Sequence, residues 1–238
     1  NNGGIGTYTG MIAEAMAAKN NEVHLITLGK NDEDYVHSGV NVHCISDAFL
    51  SKRLFYLEES FLIYERINGI VRSNHIDIVE SPEWLAQGLF TVTECNIPFI
   101  TRLHTPLFII EDVSKGQRIY RDSDEIKRYE LLQAKRSTLL TAPCNSMREW
   151  INDEWGIDSW VIYNPIDETK YTLCDNTENT VLFMGRLEYR KGITFLSESI
   201  KKLARDVQNV KIIICGRDSI FKKESMQKRI MRECEDVI

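Results

Sequence analysis

The segment Val181-Leu182-Phe183-Met184-Gly185-Arg186-Leu187-Glu188-Tyr189-Arg190-Lys191-Gly192 combines a strand, a turn and the start of a helix. Its apolar run, residues 181–184, is too short for a buried helix and predicts a strand buried on both faces. Beyond Lys191, apolar residues at helical spacing predict a helix: Leu196, Ile200, Leu203 and Ala204. The turn between them therefore lies at the carboxyl end of a strand, where open α/β sheets bind their ligands.

Two cations stand in this turn. Arg186 offers a planar guanidinium fork and Lys191 a compact ammonium group. The start of the helix adds free N–H groups and the positive end of a dipole. This combination suits a diphosphate group, and the alternative is an ordinary turn with two solvated surface cations.

Composition limits the class of protein. The chain has 238 residues, 43% of them hydrophobic, which allows one large domain or two of modest size. No stretch approaches the ~20 apolar residues that a membrane span needs. The formal net charge of −6 argues against nucleic acid as the main partner, because nucleic-acid binding needs a broad basic face. The cysteines form no C-x-x-C pair and no metal-ligand cluster, a usage typical of reduced thiols in a cytoplasmic protein.

The chain opens on a glycine-rich segment, residues 1–8, which predicts a flexible turn leading into a helix. The preceding strand is missing, so the chain is expected to be cut at its start. A glycine-rich helix start can cradle an anion or merely begin a helix. Its glycines lack the dinucleotide-fingerprint spacing and no acidic residue closes the next strand, so a nicotinamide enzyme is disfavoured. The apolar side of the helix is expected to be Met11, Ile12, Ala15 and Met16.

Strand-like runs alternate with helical stripes along the chain. The runs are residues 23–28, 40–45, 76–80, 97–103, 138–142, 160–163, 181–184 and 210–215. This alternation predicts parallel sheets built from βαβ units. The polar residues 168–180 predict a linker between a first α/β domain, residues 1–167, and a second, residues 181–238. With only two strands the second domain is expected to be truncated.

Distinctive side chains follow the ends of the predicted strands: Glu80, Glu83, His104, Asn145, Ser146 and Asn164. In a parallel sheet these ends share one edge, so the groups are expected to line one rim.

Each group also has a purely structural interpretation. Ser146 through Glu149 have the spacing of a capping box, and His104 can hydrogen-bond its own loop. Glu80 and Glu83 could be a carboxylate pair for sugar hydrolysis, or simply solvated. The mixed charges of residues 111–136 predict a solvated loop and helix face, and residues 216–218 predict a turn.

Several of these motifs recur in the same order in the retaining GT-B glycosyltransferases of glycosyltransferase family 4, which the chain resembles over nearly its whole length. The motifs are Gly3-Gly4-Ile5-Gly6, the strand ending in His104, Ser146 at a helix start, Tyr163-Asn164-Pro165-Ile166-Asp167, and Gly185-Arg186 with Lys191-Gly192. The resemblance implies two Rossmann-like parallel-sheet domains facing a cleft, the second incomplete here. It also implies a nucleoside-diphosphate sugar held mainly by the second domain.

The resemblance implies roles as well. Arg186 and Lys191 would bind the donor diphosphate and His104 would lie near the transferred sugar, which makes these three the expected catalytic residues. The expected donor-side residues are Gly3, Gly4, Ser146, Asn164, Gly185 and Gly216. Glu80 and Glu83 are expected on the acceptor side, and neither a cofactor nor a metal is expected.

Two departures from the family are visible. Pro165 follows Asn164 where the family often has glycine. The E-x7-E element that grips the donor sugar and ribose would lie beyond Ile238, so the chain is expected to be a piece that is inactive by itself.

The expected reaction is transfer of a sugar from a nucleoside-diphosphate sugar to a hydroxyl acceptor with retention of configuration. The acceptor could be a saccharide, a lipid-linked molecule or a small molecule. The apolar residues 106–110 could make a peripheral membrane contact or be buried.

Three alternatives remain at this point. One is a nucleotide-sugar epimerase of the same architecture, and another is a non-catalytic nucleotide-binding module. The third is a metal-dependent transferase that uses Asp32-Glu33-Asp34 or Asp122-Ser123-Asp124 as its ligands.

Overall fold

The computed structural model describes residues 3–47, 51, 53–114, 118–172, 179–221 and 224–236. The chain divides into two compact units: Asn1–Asp112 with Gly116–Asp167, and Val113–Lys115 with Glu168–Ile238. Of the predicted linker, residues 173–178 lie outside the described residues, Glu168–Lys170 form a single 3-10 turn, and Thr180 already belongs to a strand.

The strands in the described residues are β1 (His24–Gly29), β2 (Glu33–His37), β3 (Val40–Ser46), β4 (Val79–Pro82), β5 (Phe99–Arg102), β6 (Leu139–Ala142), β7 (Trp160–Val161), β8 (Thr180–Met184), β9 (Lys211–Cys215), β10 (Ile220–Phe221) and β11 (Glu224–Ser225). The helices are α1 (Gly4–Ala17), α2 (Phe55–Val71), α3 (Leu89–Glu94), α4 (Leu107–Val113), α5 (Ser123–Arg136), α6 (Asn145–Trp155), α7 (Ile193–Asp206) and α8 (Met226–Glu233).

The first unit contains a four-stranded sheet of order β4-β5-β6-β7, in which every neighbouring pair is parallel. This confirms the predicted parallel sheet. A second sheet has the order β1-β3-β2, with β1 parallel and β2 antiparallel to β3. Strand β2 was not predicted, because all of its residues are exposed and no apolar alternation marks it.

Helix α1 begins at Gly4, so the segment predicted as a flexible turn is already helical there. Its buried residues are Tyr8 and Ala13, while Ala15 and Met16 are exposed. The predicted apolar side is therefore wrong for Ala15 and Met16, whereas Met11 and Ile12 are partly buried. Ala13 packs with Val40 and Val42 of β3. The helix therefore turns the face of Ala13 toward the sheet, instead of the face that the apolar spacing predicted.

Helix α5 also contradicts its prediction. Residues 111–136 were expected to form a solvated loop and helix face. Glu125, Arg128 and Lys135 are exposed, but Glu130 and Gln133 are completely buried. The Glu130 carboxylate accepts hydrogen bonds from the backbone N–H groups of Leu85 (3.1 Å) and Leu107 (2.9 Å). Leu85 has a left-handed φ of 55°, which is costly for a branched residue. One face of the helix is buried, because its polar side chains satisfy the irregular backbone that follows β4.

The apolar patch at residues 106–110 lies partly in helix α4, and Pro106, Leu107 and Ile109 are buried. Its apolar surface is therefore used within the first unit. None of the described helices combines the length and the apolar character that crossing a membrane requires.

The second unit is built on β8 and β9, which pair in parallel. Its core is Leu187, Ile193, Ile200, Met226, Ile230 and Cys234, with Phe183, Leu196, Ile212 and Ile214 packed against it. Leu182 and Met184 are 57% and 81% exposed, so the prediction of a strand buried on both faces is wrong. Core residues from α7 and α8 pack on the sheet face that carries Phe183, and alternate side chains of β8 point to the opposite face.

The ends of β8 and β9 approach each other closely. The Gly185 N–H donates to the Cys215 carbonyl at 2.9 Å, and the Leu187 N–H donates to the Arg217 carbonyl at 2.9 Å. A Cβ atom on Gly216 would lie 1.7 Å from the Gly185 carbonyl oxygen. Only glycine fits at residue 216, because any side chain would push the two loops apart.

Replacing Gly216 by alanine should destabilise the protein by about 3 kcal/mol, the upper part of the overpacking range, because the added methyl group meets backbone. Thermal and urea unfolding of the variant would measure this loss. Gly69→Ala is the matched control: residue 69 is exposed in α2 with no atom near the added Cβ, so it should gain roughly 0.5–1 kcal/mol. Equal stability of the two variants would contradict the packing argument.

Burial raises the pKa of Glu130 to about 8, and the neighbouring Glu83 carboxylate adds to the rise. The folded protein therefore holds this proton more tightly than the unfolded chain, whose glutamate pKa is 4.5. Stability should be fully present below pH 4.5 and should fall as the pH rises toward 8, by about 1 kcal/mol per pH unit.

Glu130→Gln carries no such proton, so the stability advantage of the wild type over this variant should shrink between pH 5 and 8. Urea unfolding at a series of pH values would test this, with the exposed Glu125→Gln in the same helix as the control. An advantage that stays constant across the window would refute the buried proton.

Candidate functional site

The carboxyl ends of β4, β5, β6 and β7 point to one edge of the sheet because the strands are parallel. We call this the carboxyl edge. Glu83, His104 and Asn164 follow β4, β5 and β7 respectively, as the strand positions predicted. Direct contacts link Glu83 with His104, and Arg102, at the end of β5, with Asn164.

Glu83 is completely buried at this edge. Its carboxylate accepts hydrogen bonds from the backbone N–H groups of His104 (2.9 Å) and Thr105 (2.7 Å). Burial raises the pKa of Glu83 to about 7, and these N–H groups limit the rise. Glu83 was expected to be solvated or to lie on the acceptor side. Both expectations are wrong, because a side chain with no exposed surface can contact neither solvent nor an acceptor. Glu83 instead holds the backbone of His104 in place.

His104 is partly buried, and its ring meets the Tyr8 ring edge-on with centroids 5.1 Å apart. Burial, assisted by the charge of Arg102, lowers the pKa of His104 to about 4. The imidazole is therefore neutral near pH 7. Among the described residues neither ring nitrogen has a hydrogen-bond partner, so one donor and one acceptor are available to a ligand.

Arg102 lies beneath this histidine and was not predicted. Its side chain is 1% exposed, and its Nη2 donates to the Ile162 carbonyl and to Asn164 Oδ1, both at 2.8 Å. The guanidinium carbon lies 4.7 Å from the centroid of the Tyr8 ring. The available signal was a cation inside an apolar strand, which is rarely buried without a specific role.

Tyr8 connects helix α1 to this edge. Its hydroxyl donates to Glu80 Oε1 at 3.1 Å. Burial and then the Glu80 charge raise the pKa of Tyr8 to about 12, so the phenol remains protonated. Glu80 itself is exposed, and its carboxylate is the acidic group of this cluster that solvent reaches.

Ser146 lies within the first turn of α6, which begins at Asn145 after Cys144, and no side chain caps the helix. The predicted capping box is therefore wrong, because the helix starts too early for Ser146 to be its cap. Gly3 precedes helix α1, which also lacks a side-chain cap, and no atom lies within 4 Å of an added Cβ at Gly3 or Gly4. At the start of both helices the N-cap residue thus makes no side-chain hydrogen bond to the first N–H groups.

In the second unit, Arg186 and Lys191 flank the turn between β8 and α7. Arg186 is 57% exposed in its side chain and pairs with Glu188 at 2.9 Å, and the other oxygen of Glu188 pairs with Arg190 at 2.7 Å. Lys191 is exposed and has no ion-pair partner among the described residues. Gly192 has a φ of 73°, a left-handed conformation that lets the chain turn from Lys191 into α7.

Both candidate D-x-D triplets are engaged in contacts within the protein. Asp32 accepts the Ser46 N–H at 2.8 Å, and Asp34 pairs with Arg66 and with His43. Asp124 pairs with Arg118. In the part of the chain that the structure describes, no group of three or more His, Cys, Asp or Glu side chains is placed to hold a metal ion.

Comparison with known proteins identifies the family. Residues 2–170 match the family model Glycosyltransferase Family 4, and residues 167–236 match Glycosyl transferases group 1. An uncharacterized glycosyltransferase from Methanocaldococcus jannaschii is 24% identical over 240 residues, covering 90% of this chain and 59% of that protein.

Among solved structures, sucrose-phosphate synthase from Thermosynechococcus elongatus is similar with a TM-score of 0.71 and 13% sequence identity. The similarity covers 99% of this chain and 64% of that one, which confirms the GT-B-like α/β fold. The chain thus spans about three fifths of the length of these proteins. Because the first family model matches well over half of its residues, the chain belongs to glycosyltransferase family 4.

Proposed function

We propose that the protein carrying this chain is a glycosyltransferase that moves a sugar from a nucleoside-diphosphate sugar to a hydroxyl acceptor with retention of configuration. Family membership supports the reaction class. The observation that carries the proposal is the exposed pair Arg186 and Lys191, set at the carboxyl end of β8 where the chain turns into a helix.

The two cations suit the leaving group of such a reaction. When the sugar–phosphate bond breaks, negative charge grows on the diphosphate, and positioned cations stabilise that charge more in the transition state than before it. The Lys191 ammonium group can bind the diphosphate without breaking an ion pair, because no carboxylate among the described residues pairs with it. Arg186 must leave Glu188, but its own side chain is 57% exposed, and ion pairs that solvent reaches are worth only about 0–1 kcal/mol.

Fixed cations supply charge that a metal ion supplies in other transferases, so the proposal includes neither a metal nor a cofactor. The remaining donor-side groups are glycines and small polar residues. Gly3 and Gly4 begin α1 without a side chain, so a phosphate can approach the helix N-terminus. Ser146, Asn164, Gly185 and Gly216 complete the proposed donor side.

His104 suits a place beside the sugar because it is uncharged. Glycosyl transfer passes through a transition state with positive charge on the sugar ring, as in glycoside hydrolysis. An imidazolium would oppose that charge, whereas a neutral imidazole can still hydrogen-bond sugar hydroxyls. The lowered pKa of His104 keeps the ring in this form at neutral pH. Glu80, the exposed carboxylate of the same edge, remains on the proposed acceptor side.

The acceptor is proposed to be a saccharide, a lipid-linked molecule or a small molecule with a free hydroxyl, and the site of action the cytoplasm. A panel of nucleotide sugars with uridine, guanosine and adenosine bases, each offered with simple sugar acceptors, would identify the pair used. Proton NMR of the product would give its anomeric configuration. An inverted product would remove retention from the proposal.

Lys191→Ala should lower the turnover number about 100-fold, because loss of one preorganised contact to developing charge costs ~3 kcal/mol. The measurement is kcat with the identified donor, together with thermal unfolding to show an intact fold. Arg190→Ala is the matched control: this neighbouring cation pairs with Glu188 and is not proposed to touch the donor, so kcat should change less than about threefold. Near-normal turnover of Lys191→Ala would exclude Lys191 from catalysis.

A further inference from the structure

Arg102 is a buried cation of the first unit that the proposed function does not use. Its Nε and Nη1 atoms are inaccessible and have no hydrogen-bond partner among the residues that the structure describes. Among the described residues no carboxylate lies within ion-pair distance of this guanidinium. Burying a cation without a paired carboxylate costs several kcal/mol, and the two carbonyl contacts of Nη2 offset only part of that cost.

The contacts of Arg102 join segments that are far apart in sequence. From the end of β5 its Nη2 reaches the chain after β7, at Ile162 and Asn164. Its face lies against the ring of Tyr8 on α1, a cation–π arrangement. Tyr8 in turn holds Glu80 on β4. One side chain therefore sets the positions of groups from α1, β4 and the segment after β7.

The same charge acts on His104, two residues further along the chain. Three groups face this imidazole: the Tyr8 ring from α1, the Glu83 carboxylate at its backbone, and Arg102. Tyr8 is a protonated phenol, and both carboxylate oxygens of Glu83 accept hydrogen bonds from backbone N–H groups. Burial is the main cause of the lowered pKa of His104, and the charge of Arg102 adds to it by opposing formation of an imidazolium.

We propose that Arg102 is a positioning residue for sugar transfer: its planar fork places Asn164 and Tyr8, and the Tyr8 ring in turn contacts the imidazole of His104. The inference rests on the proposed function for its catalytic part. The secondary effect of the Arg102 charge on the pKa of His104 concerns the protein alone and does not depend on any substrate.

Neither lysine nor methionine can reproduce both effects. Lysine keeps a positive charge but lacks the flat group that donates twice from one nitrogen while stacking on an aromatic ring. Methionine fills a similar volume without any charge. The two substitutions therefore separate placement from electrostatics.

The first experiment follows the titration of His104 in ¹⁵N-labelled protein. The chain has five histidines, and a His104→Gln variant assigns the signal. In Arg102→Met the pKa midpoint of His104 should rise above the wild-type value, because a nearby like charge is removed, but it should stay below 6.5 because burial remains. In Arg102→Lys it should stay close to the wild-type value. Arg148→Gln is the control, because this exposed arginine of α6 pairs with Asp158 and its loss should leave the titration unchanged.

The second experiment measures kcat and KM for the identified donor and acceptor. Both Arg102 variants should lose at least ~10-fold in kcat with little change in KM, since misplaced catalytic groups slow the chemical step. Lysine should thus restore the titration of His104 but not the rate. A wild-type rate in Arg102→Lys overturns the positioning role, and an unchanged midpoint in Arg102→Met overturns the electrostatic role.

Failure of the inference is distinguishable from failure of the proposed function. If the wild type transfers no sugar while the midpoint shifts in Arg102→Met, the function is wrong and the charge effect stands. Should Arg102→Met not fold, Tyr8→Phe and Tyr8→Leu replace it. The first keeps the ring over the guanidinium and the second removes it, so Tyr8→Leu should be the slower enzyme. Equal rates in these two variants would overturn the placement of Tyr8 by Arg102.

Discussion

Parallel pairing of β4 through β7 is the constraint on which the first unit depends. It sends the residues after every strand to one edge, so side chains that follow different strands meet although those strands are far apart in sequence. The edge then needs support, because strand ends and the loops beyond them leave backbone groups unpaired. That support comes from the buried polar side chains Glu83, Glu130 and Gln133.

These buried side chains make the hydrogen bonds that neighbouring backbone groups would make in a regular helix or sheet. Gln133 accepts the Gly88 N–H at 2.8 Å and donates to the Pro82 carbonyl at 2.9 Å. Glu130 and Glu83 each receive two backbone N–H groups. Their burial is costly, yet it holds an irregular loop in one conformation beside His104. Rigid loops at this edge are a condition for holding reacting groups in a fixed geometry.

The second unit holds its candidate functional cations in a different way. Its two cations are exposed rather than buried, and the rigidity lies in the backbone: Gly216 packs directly on the Gly185 carbonyl, and Gly192 turns the chain into α7. An exposed lysine or arginine keeps its hydration, so its charge costs little free energy in the folded protein, and it can bind an anion directly. Arg102 differs from these two cations in how it acts. A buried cation acts through its electric field and its fixed contacts, whereas an exposed cation acts by binding the ligand directly.

The sequence by itself determined the alternation of strands and helices, the parallel sheet, the glycine-and-cation turn around Gly185, and the carboxyl edge as the place for His104 and Asn164. These follow from local periodicity and from strand polarity, which short stretches of chain carry. Tertiary structure alone decided which polar residues are buried. Glu83, Arg102 and Glu130 resemble surface residues in the sequence, and they are stable inside only because Thr105, Tyr8, Asn164 and Leu85 come from distant segments to meet them. The same reason explains β8, whose apolar residues predicted burial on both faces: exposure depends on what packs against a strand, and periodicity does not record that.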